Sequence, residues 1–147
     1  VGGLFPYRQA RERDVAMGLG TDGPGSNNSL DLVDDMKVFA LLQKNAAGDP
    51  AAVTAGETLA LARGERSPLL GRPALEVGAD ADFLLVPTNS PELGLGELDA
   101  GLVYAASGAA VDSTVVAGRV LMQSGRVEGA DAVLARTRER AMGLGLV

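Results

Sequence analysis

Residues 15–32 read Val-Ala-Met-Gly-Leu-Gly-Thr-Asp-Gly-Pro-Gly-Ser-Asn-Asn-Ser-Leu-Asp-Leu. The first six are apolar or glycine and do not alternate with polar residues, the pattern of a strand covered on both faces. A glycine-rich turn follows, and a helical pattern begins at once. This order delivers a single carboxylate, Asp22, onto the turn between strand and helix. In α/β barrels the C-terminal ends of parallel strands carry the reacting groups. Asp22 is therefore the first candidate for a working residue. A plainer reading stands beside it: an aspartate that closes its own turn in Thr-Asp-Gly-Pro.

The chain contains no histidine and no cysteine in 147 residues. A disulfide framework and a thiolate metal site are both excluded, and any chemistry at Asp22 would draw on partners outside this sequence. A chain without cysteine fits a reducing compartment, and the cytoplasm is the expected location. The net charge of −6 provides no basic face for phosphates, so nucleic acid is not an expected partner. No apolar run approaches the roughly 18 residues of a membrane span, and no signal peptide is visible. The sequence opens on Val1 within what reads as ordered structure, which raises the expectation of a fragment. With apolar residues at 46% but aromatics at 3%, a core would rest on many small aliphatic contacts.

Three regions are expected. Residues 1–64 read as one strand among helices. Pro6 suits the first turn of a short polar helix over 6–14. Asn28 is placed to cap the next helix, with Asp31 at its third position. In that helix Asp34 and Asp35 come early and Lys37 and Lys44 late, the order its dipole favours. Its apolar residues fall on several stripes, so it should be mostly buried. A further helix is expected from Thr54 to about Ala62. Residues 65–127 change to short strands, at 74–77, 82–87, 111–116 and 119–123, with hairpin-like links at Ala117-Gly118 and Ser124-Gly125. Residues 128–147 hold an amphipathic helix from about Ala130 to Met142. A lone strand of barrel type would leave its backbone groups unpaired within this chain.

Gly20-Thr-Asp-Gly-Pro-Gly-Ser-Asn-Asn28, then Leu30-Asp-Leu32, Met36-Lys37 and Leu41-Leu-Gln-Lys44, resemble the end of the barrel in the amidohydrolase superfamily. The resemblance is to its methylthioadenosine/S-adenosylhomocysteine deaminase and chlorohydrolase branch. Leu75-Glu-Val-Gly-Ala-Asp-Ala-Asp-Phe-Leu-Leu-Val86 resembles that superfamily's return into its β-sandwich. Val103-Tyr-Ala-Ala-Ser-Gly108 and the stretch from Val111-Asp112 to Val116-Ala-Gly-Arg-Val120 resemble the strands that close it. Four such motifs in the right order cover nearly the whole chain.

The resemblance implies an α/β fold: the last strand-helix units of a (β/α)₈ barrel, part of a small β-sandwich, and a C-terminal helix. It implies a divalent metal, zinc or iron, held by histidines from earlier strands and completed by Asp22. In such enzymes that aspartate orients the metal-bound water, takes its proton and passes it to the leaving group. The implied activity is hydrolytic deamination of an amino-purine nucleoside or related heterocycle, with dechlorination as a variation, and full-length relatives commonly self-associate. A catalytic zinc needs about three protein ligands, so this chain alone is expected to be inactive. Segment 62–73, with Pro68 and several charges, departs from the family pattern. The alternative is a non-catalytic binding or oligomerisation module derived from a decayed amidohydrolase.

Other candidates carry plainer readings. Ser26, Asn27 and Asn28 serve as caps and loop hydrogen-bonders, or Ser26 and Asn27 line a substrate pocket. Gly23 and Gly25 serve backbone geometry, since the turn lacks a P-loop lysine. Asp80 and Asp82 read as a turn into a strand before they read as metal ligands. Arg136, Arg138 and Arg140 read as a solvated helix face. Tyr7, Tyr104, Phe5 and Phe83 are too scattered for a stacking platform.

Overall fold

A computed structural model describes residues 3–67 and 75–146. The elements run α1 (Tyr7–Glu12), α2 (Leu32–Ala47), α3 (Ala55–Ala62), β1 (Phe83–Leu85), α4 (Leu98–Tyr104), a 3₁₀ turn (Gly108–Ala110), β2 (Ser113–Val116), β3 (Arg119–Gln123), β4 (Arg126–Val127) and α5 (Ala130–Gly143). They divide into two compact units. The first comprises residues 1–74 and 87–110, the second residues 75–86 and 111–147. The division does not follow the 65–127 boundaries, because β1 pairs with β2 across a long insertion that returns α4 to the helical unit.

In the first unit, Asp31 starts α2. Its Oδ1 accepts hydrogen bonds from the N–H groups of Val33 and Asp34, at 3.0 and 3.3 Å. Asp31 itself is thus the cap, in place of Asn28, and the helix begins three residues later than the capping pattern suggested. Gly48, at φ 62°, ends α2 in the left-handed conformation that a glycine adopts without a Cβ penalty. Pro6 likewise flanks α1 and lies outside its first turn. α3 opens with a reciprocal capping box. Thr54 accepts from the Glu57 N–H at 3.1 Å, and Glu57 accepts from the Thr54 N–H at 2.9 Å.

Two small clusters form this unit's core. Tyr7, Val53 and Leu61 gather Met17, Leu19 and Phe39, while Met36, Ala40 and Val103 gather Val33, Leu59 and Tyr104. The aliphatic core expected from composition therefore has an aromatic anchor. Tyr7 meets Phe39 edge-on at 5.1 Å, and Arg11 lies over the Tyr7 ring. α2 buries only Met36, Ala40 and Gln43, whereas Val38, Leu41 and Leu42 remain about half exposed. The expectation of a mostly buried helix is corrected to one buried face.

The strand expected over residues 15–20 does not form: among the described residues they belong to no helix or sheet. Two of their amides find acceptors at and beyond the end of α3: Leu19 N–H donates to the Leu61 carbonyl in its last turn at 3.1 Å, and Met17 N–H to the Arg66 carbonyl in the turn that follows at 3.0 Å. The last carbonyls of a helix have no partner within it, so the last turn of α3 and the turn after it take the place of a neighbouring strand. Met17 and Leu19 turn toward the core while Val15, Ala16, Gly18 and Gly20 are exposed. The segment is covered on one face only.

The second unit is an antiparallel sheet in the order β1-β2-β3-β4. Phe83 faces Val115, Leu85 faces Ser113, and an irregularity between Thr114 and Val115 shifts the register toward β3. Both hairpin links are two-residue turns with positive φ at each position: Ala117 and Gly118 at 48° and 74°, Ser124 and Gly125 at 50° and 70°. That is the type I′ geometry whose twist matches the flanking strands. Residues 75–77 form no strand, and Ala74 lies outside the described residues. Val103 and Tyr104 end a helix, so the strand that the resemblance suggested around 103–108 is corrected to α4 and a 3₁₀ turn. The atypical 62–73 segment is described only to Ser67, where residues 63–66 form turns. No residue of α5 is buried. Among the described residues no helix is long and apolar enough to cross a membrane.

Candidate active-site loop

Residues 21–27 form the loop between residues 15–20 and α2. Asp22 sits at its exposed crest with φ 61°. Aspartate is one of the few non-glycine residues that enter this region, at a cost on the order of 1 kcal/mol, because its short side chain can bond nearby backbone. Here Oδ1 accepts the Gly23 N–H at 2.8 Å, and Oδ2 accepts the Ser26 hydroxyl at 2.6 Å. The Gly23 carbonyl in turn accepts the N–H groups of Ser26 and Asn27, both at 3.0 Å, which closes the loop as a compact turn.

These contacts fix the charge of Asp22. The Ser26 hydroxyl, and after it the Gly23 N–H, hold its carboxyl below the ordinary aspartate range, with a small opposing push from desolvation. Asp22 is therefore ionised at neutral pH. An ionised carboxylate has about four lone-pair positions, and the loop occupies one on each oxygen. About one position per oxygen remains, enough for a bond to a cation on one and to a proton on the other. Among the described residues no group of three or more His, Cys, Asp or Glu side chains could hold a metal ion. The loop fits one ligand of a metal site and does not build the site.

Ser26 and Asn27 flank Asp22, but their donors are engaged inside the fold. The Ser26 hydroxyl has one proton, directed to Asp22. The Asn27 amide nitrogen donates to the Thr21 carbonyl at 2.8 Å and to both carboxylate oxygens of Asp35, at 3.2 and 3.1 Å. Asp35 is the residue that sequence reasoning assigned only to the helix dipole; its spacing of eight from Asn27 gave no signal of a contact. Asp82 accepts the Ala117 N–H at 2.6 Å and thus steadies the sheet, away from any metal role with Asp80. Arg136, Arg138 and Arg140 are exposed on α5.

With this geometry in hand, comparison with known proteins defines the class. The sequence profile of the amidohydrolase family matches residues 2–121, and the chain belongs to that family. Among its relatives, the 5′-deoxyadenosine deaminase of Methanoregula boonei is 44% identical over 134 residues, covering 89% of this chain and 30% of that protein. The 5-methylthioadenosine/S-adenosylhomocysteine deaminase of Moorella thermoacetica is 38% identical over 135 residues, covering 88% and 32%. An adenosine deaminase of Xanthomonas campestris, solved with bound zinc, superposes with a TM-score of 0.89 at 29% identity, covering 99% of this chain and 35% of that one. Atrazine chlorohydrolase of Arthrobacter aurescens, complexed with zinc, gives 0.81 at 28% identity, covering 93% and 32%. The chain spans about a third of the length of the relatives it matches. Its mixed helix and strand architecture is consistent with part of the amidohydrolase fold.

Proposed function

We propose that this chain is the C-terminal part of a metal-dependent hydrolase that deaminates an amino-purine nucleoside or a related heterocycle. The observation that carries this reading is Asp22: an ionised, solvent-facing carboxylate, pre-oriented by Gly23 and Ser26 in the loop before α2. The names of the related deaminases and the zinc in the solved neighbours support the reaction class and the metal. In this reading the first compact unit supplies the closing part of a (β/α)₈ barrel and the second a portion of the β-sandwich with its C-terminal helix.

Zinc or iron, when bound, supplies a Lewis acid and a water of lowered pKa. Asp22 would be one of the residues that hold the metal, and its carboxylate would accept a proton from the attacking water. It then delivers that proton to the departing amine. The hydrogen bonds from Ser26 and Gly23 keep Asp22 charged at rest, so it awaits the proton in the accepting state. The side-chain oxygen of Asn27, on the opposite end of its amide from the engaged nitrogen, is the atom of that pair left to meet substrate. With no histidine in its sequence, the chain by itself does not turn substrate over; the other ligands come from a histidine-bearing segment.

The test is substitution of Asp22 by Asn or Ala in the protein that joins this chain to such a segment. Turnover should vanish while the circular dichroism spectrum and thermal midpoint stay near those of the parent. Retained turnover would remove Asp22 from the mechanism. A parent with no hydrolytic activity at all would favour the non-catalytic module instead.

A further inference from the structure

The loop that carries Asp22 is held to the rest of the fold at one point. Among the described residues, the only hydrogen bonds that leave residues 20–28 are those from the Asn27 side chain to Asp35. Every other bond of the loop is internal, including both contacts to the Asp22 carboxylate. The Asn27 amide therefore acts as a fork. One N–H reaches back 2.8 Å to the Thr21 carbonyl, in the peptide directly before Asp22, and the other is shared between the two oxygens of Asp35.

Asp35 is a firm anchor. It lies in the first turn of a 16-residue helix, where the dipole favours its charge. Its chain neighbour Met36 is 4% exposed in the core, and Asp31 caps the helix start. Asn27 and Asp35 are each half-buried, whereas Asp22, Gly23 and Ser26 are exposed. A neutral amide bonded to a carboxylate is stronger than a neutral pair. The left-handed backbone at Asp22, by contrast, has only the loop's own turn to maintain it.

We propose that Asp35 is a positioning residue, which acts through Asn27 to hold the Asp22 carboxylate at a fixed point in the loop before α2. The proposal rests on the catalytic reading of Asp22 for its consequence, while the tether is a property of this chain alone. Its effect on turnover is that of a support to a metal ligand: loss of such a partner costs roughly 10- to 100-fold, and displacement of a reacting group by about 1 Å costs a similar factor.

The experiment compares Asp35→Ala, Asp35→Asn and Asn27→Ala with the parent by NMR on the full 147-residue chain. The readouts are the side-chain amide signals of Asn27 and the couplings that report φ at Asp22. Asp35→Ala should speed exchange of the Asn27 amide and move Asp22 away from a fixed positive φ. Asp35→Asn keeps an acceptor oxygen and should preserve both signals. The Val33 and Asp34 amides report whether α2 still starts correctly; if Asp35→Ala unwinds it, Asn27→Ala cuts the same link without touching the helix. Unchanged Asp22 couplings in Asn27→Ala, or equal disturbance by Asp35→Asn and Asp35→Ala, would overturn the proposal. In the histidine-bearing protein, Asp35→Ala should lower kcat roughly 10- to 100-fold with KM little changed, and Asp35→Asn should recover most of it. If instead Asp22→Asn keeps full turnover there, the catalytic reading fails while the NMR result still decides the tether.

Discussion

At Gly101, in the middle of α4, two local effects oppose each other. Helix propensity alone favours alanine over glycine there by about 1 kcal/mol. A Cβ at this position, however, would lie 2.8 Å from the Glu92 carbonyl oxygen and 3.1 Å from a Leu93 methyl. The first of these neighbours is backbone and cannot swing aside, and overpacking of this kind costs about 1–3 kcal/mol. The steric term wins. Gly101→Ala should lower stability by about 1 kcal/mol net, read as a lower urea midpoint with an unchanged slope. A raised midpoint would mean that the 92–93 backbone yields. Gly108 obeys the same logic with a polar consequence. Its N–H donates to Asp31 Oδ2 at 2.8 Å, and a Cβ would press on that carboxylate at 2.8 Å. One aspartate thus caps α2 with one oxygen and receives the 3₁₀ turn, 77 residues away, with the other.

α3 shows how a short element acquires its pH dependence. At eight residues it is too short to be stable alone, and its start is set by Thr54 and Glu57. Glu57 also receives the Arg11 guanidinium at 2.6 Å, which ties α3 to α1. Burial pushes the Glu57 carboxyl up, but the Thr54 N–H, the Arg11 guanidinium and the Thr54 hydroxyl together hold it below its ordinary value. A carboxylate depressed in this way adds stability above its unfolded pKa, about 4.3 for Glu, and loses it as pH falls through the folded value. The thermal midpoint should be level from about pH 7 to 5 and fall below about pH 4. Glu57→Gln should lower the neutral midpoint and flatten the acid limb, and an unaltered acid limb would discharge Glu57 from the role. Thr54→Ala should cost about 1 kcal/mol at neutral pH. The helix itself was legible from the run that begins at Thr54, as were both hairpin turns, because φ-positive dipeptides leave a local signature. α4 left none: Leu98–Tyr104 is seven residues with a central glycine, and it exists because Val103 is fully buried against α2. The strand expected over 15–20 is absent, and the partners that its amides find instead were not legible. They are carbonyls in the last turn of α3 and in the turn beyond it, more than 40 residues away, and no pattern within the segment encodes them. At the site, Asp22 stood out through its flanking glycines. Asp35 did not, because a half-buried contact between a loop amide and a helix carboxylate has no periodicity to reveal it.

At the scale of the whole molecule the metal provides the sharpest test, because a complete site and a single ligand differ in affinity by many orders of magnitude. Asp22 contributes one exposed carboxylate, and among the described residues no cluster of potential ligands surrounds it. A catalytic zinc held by three protein ligands would reach a dissociation constant far below micromolar. If this chain held such a site with a constant of about 1 μM, zinc at about 100 μM would stabilise the fold by roughly 2.7 kcal/mol. For a chain of this length that corresponds to a rise in Tm of roughly 5–15 °C. One carboxylate alone binds so weakly that the same zinc should move Tm by less than about 1 °C. The expected result is therefore no shift, identical in the parent chain and in Asp22→Ala. A rise of several degrees that disappears in Asp22→Ala would mean that this chain assembles a full metal site by itself. The proposal that the remaining ligands come from a histidine-bearing segment would then fall. The zinc titration thus tests the ligand supply with this chain alone.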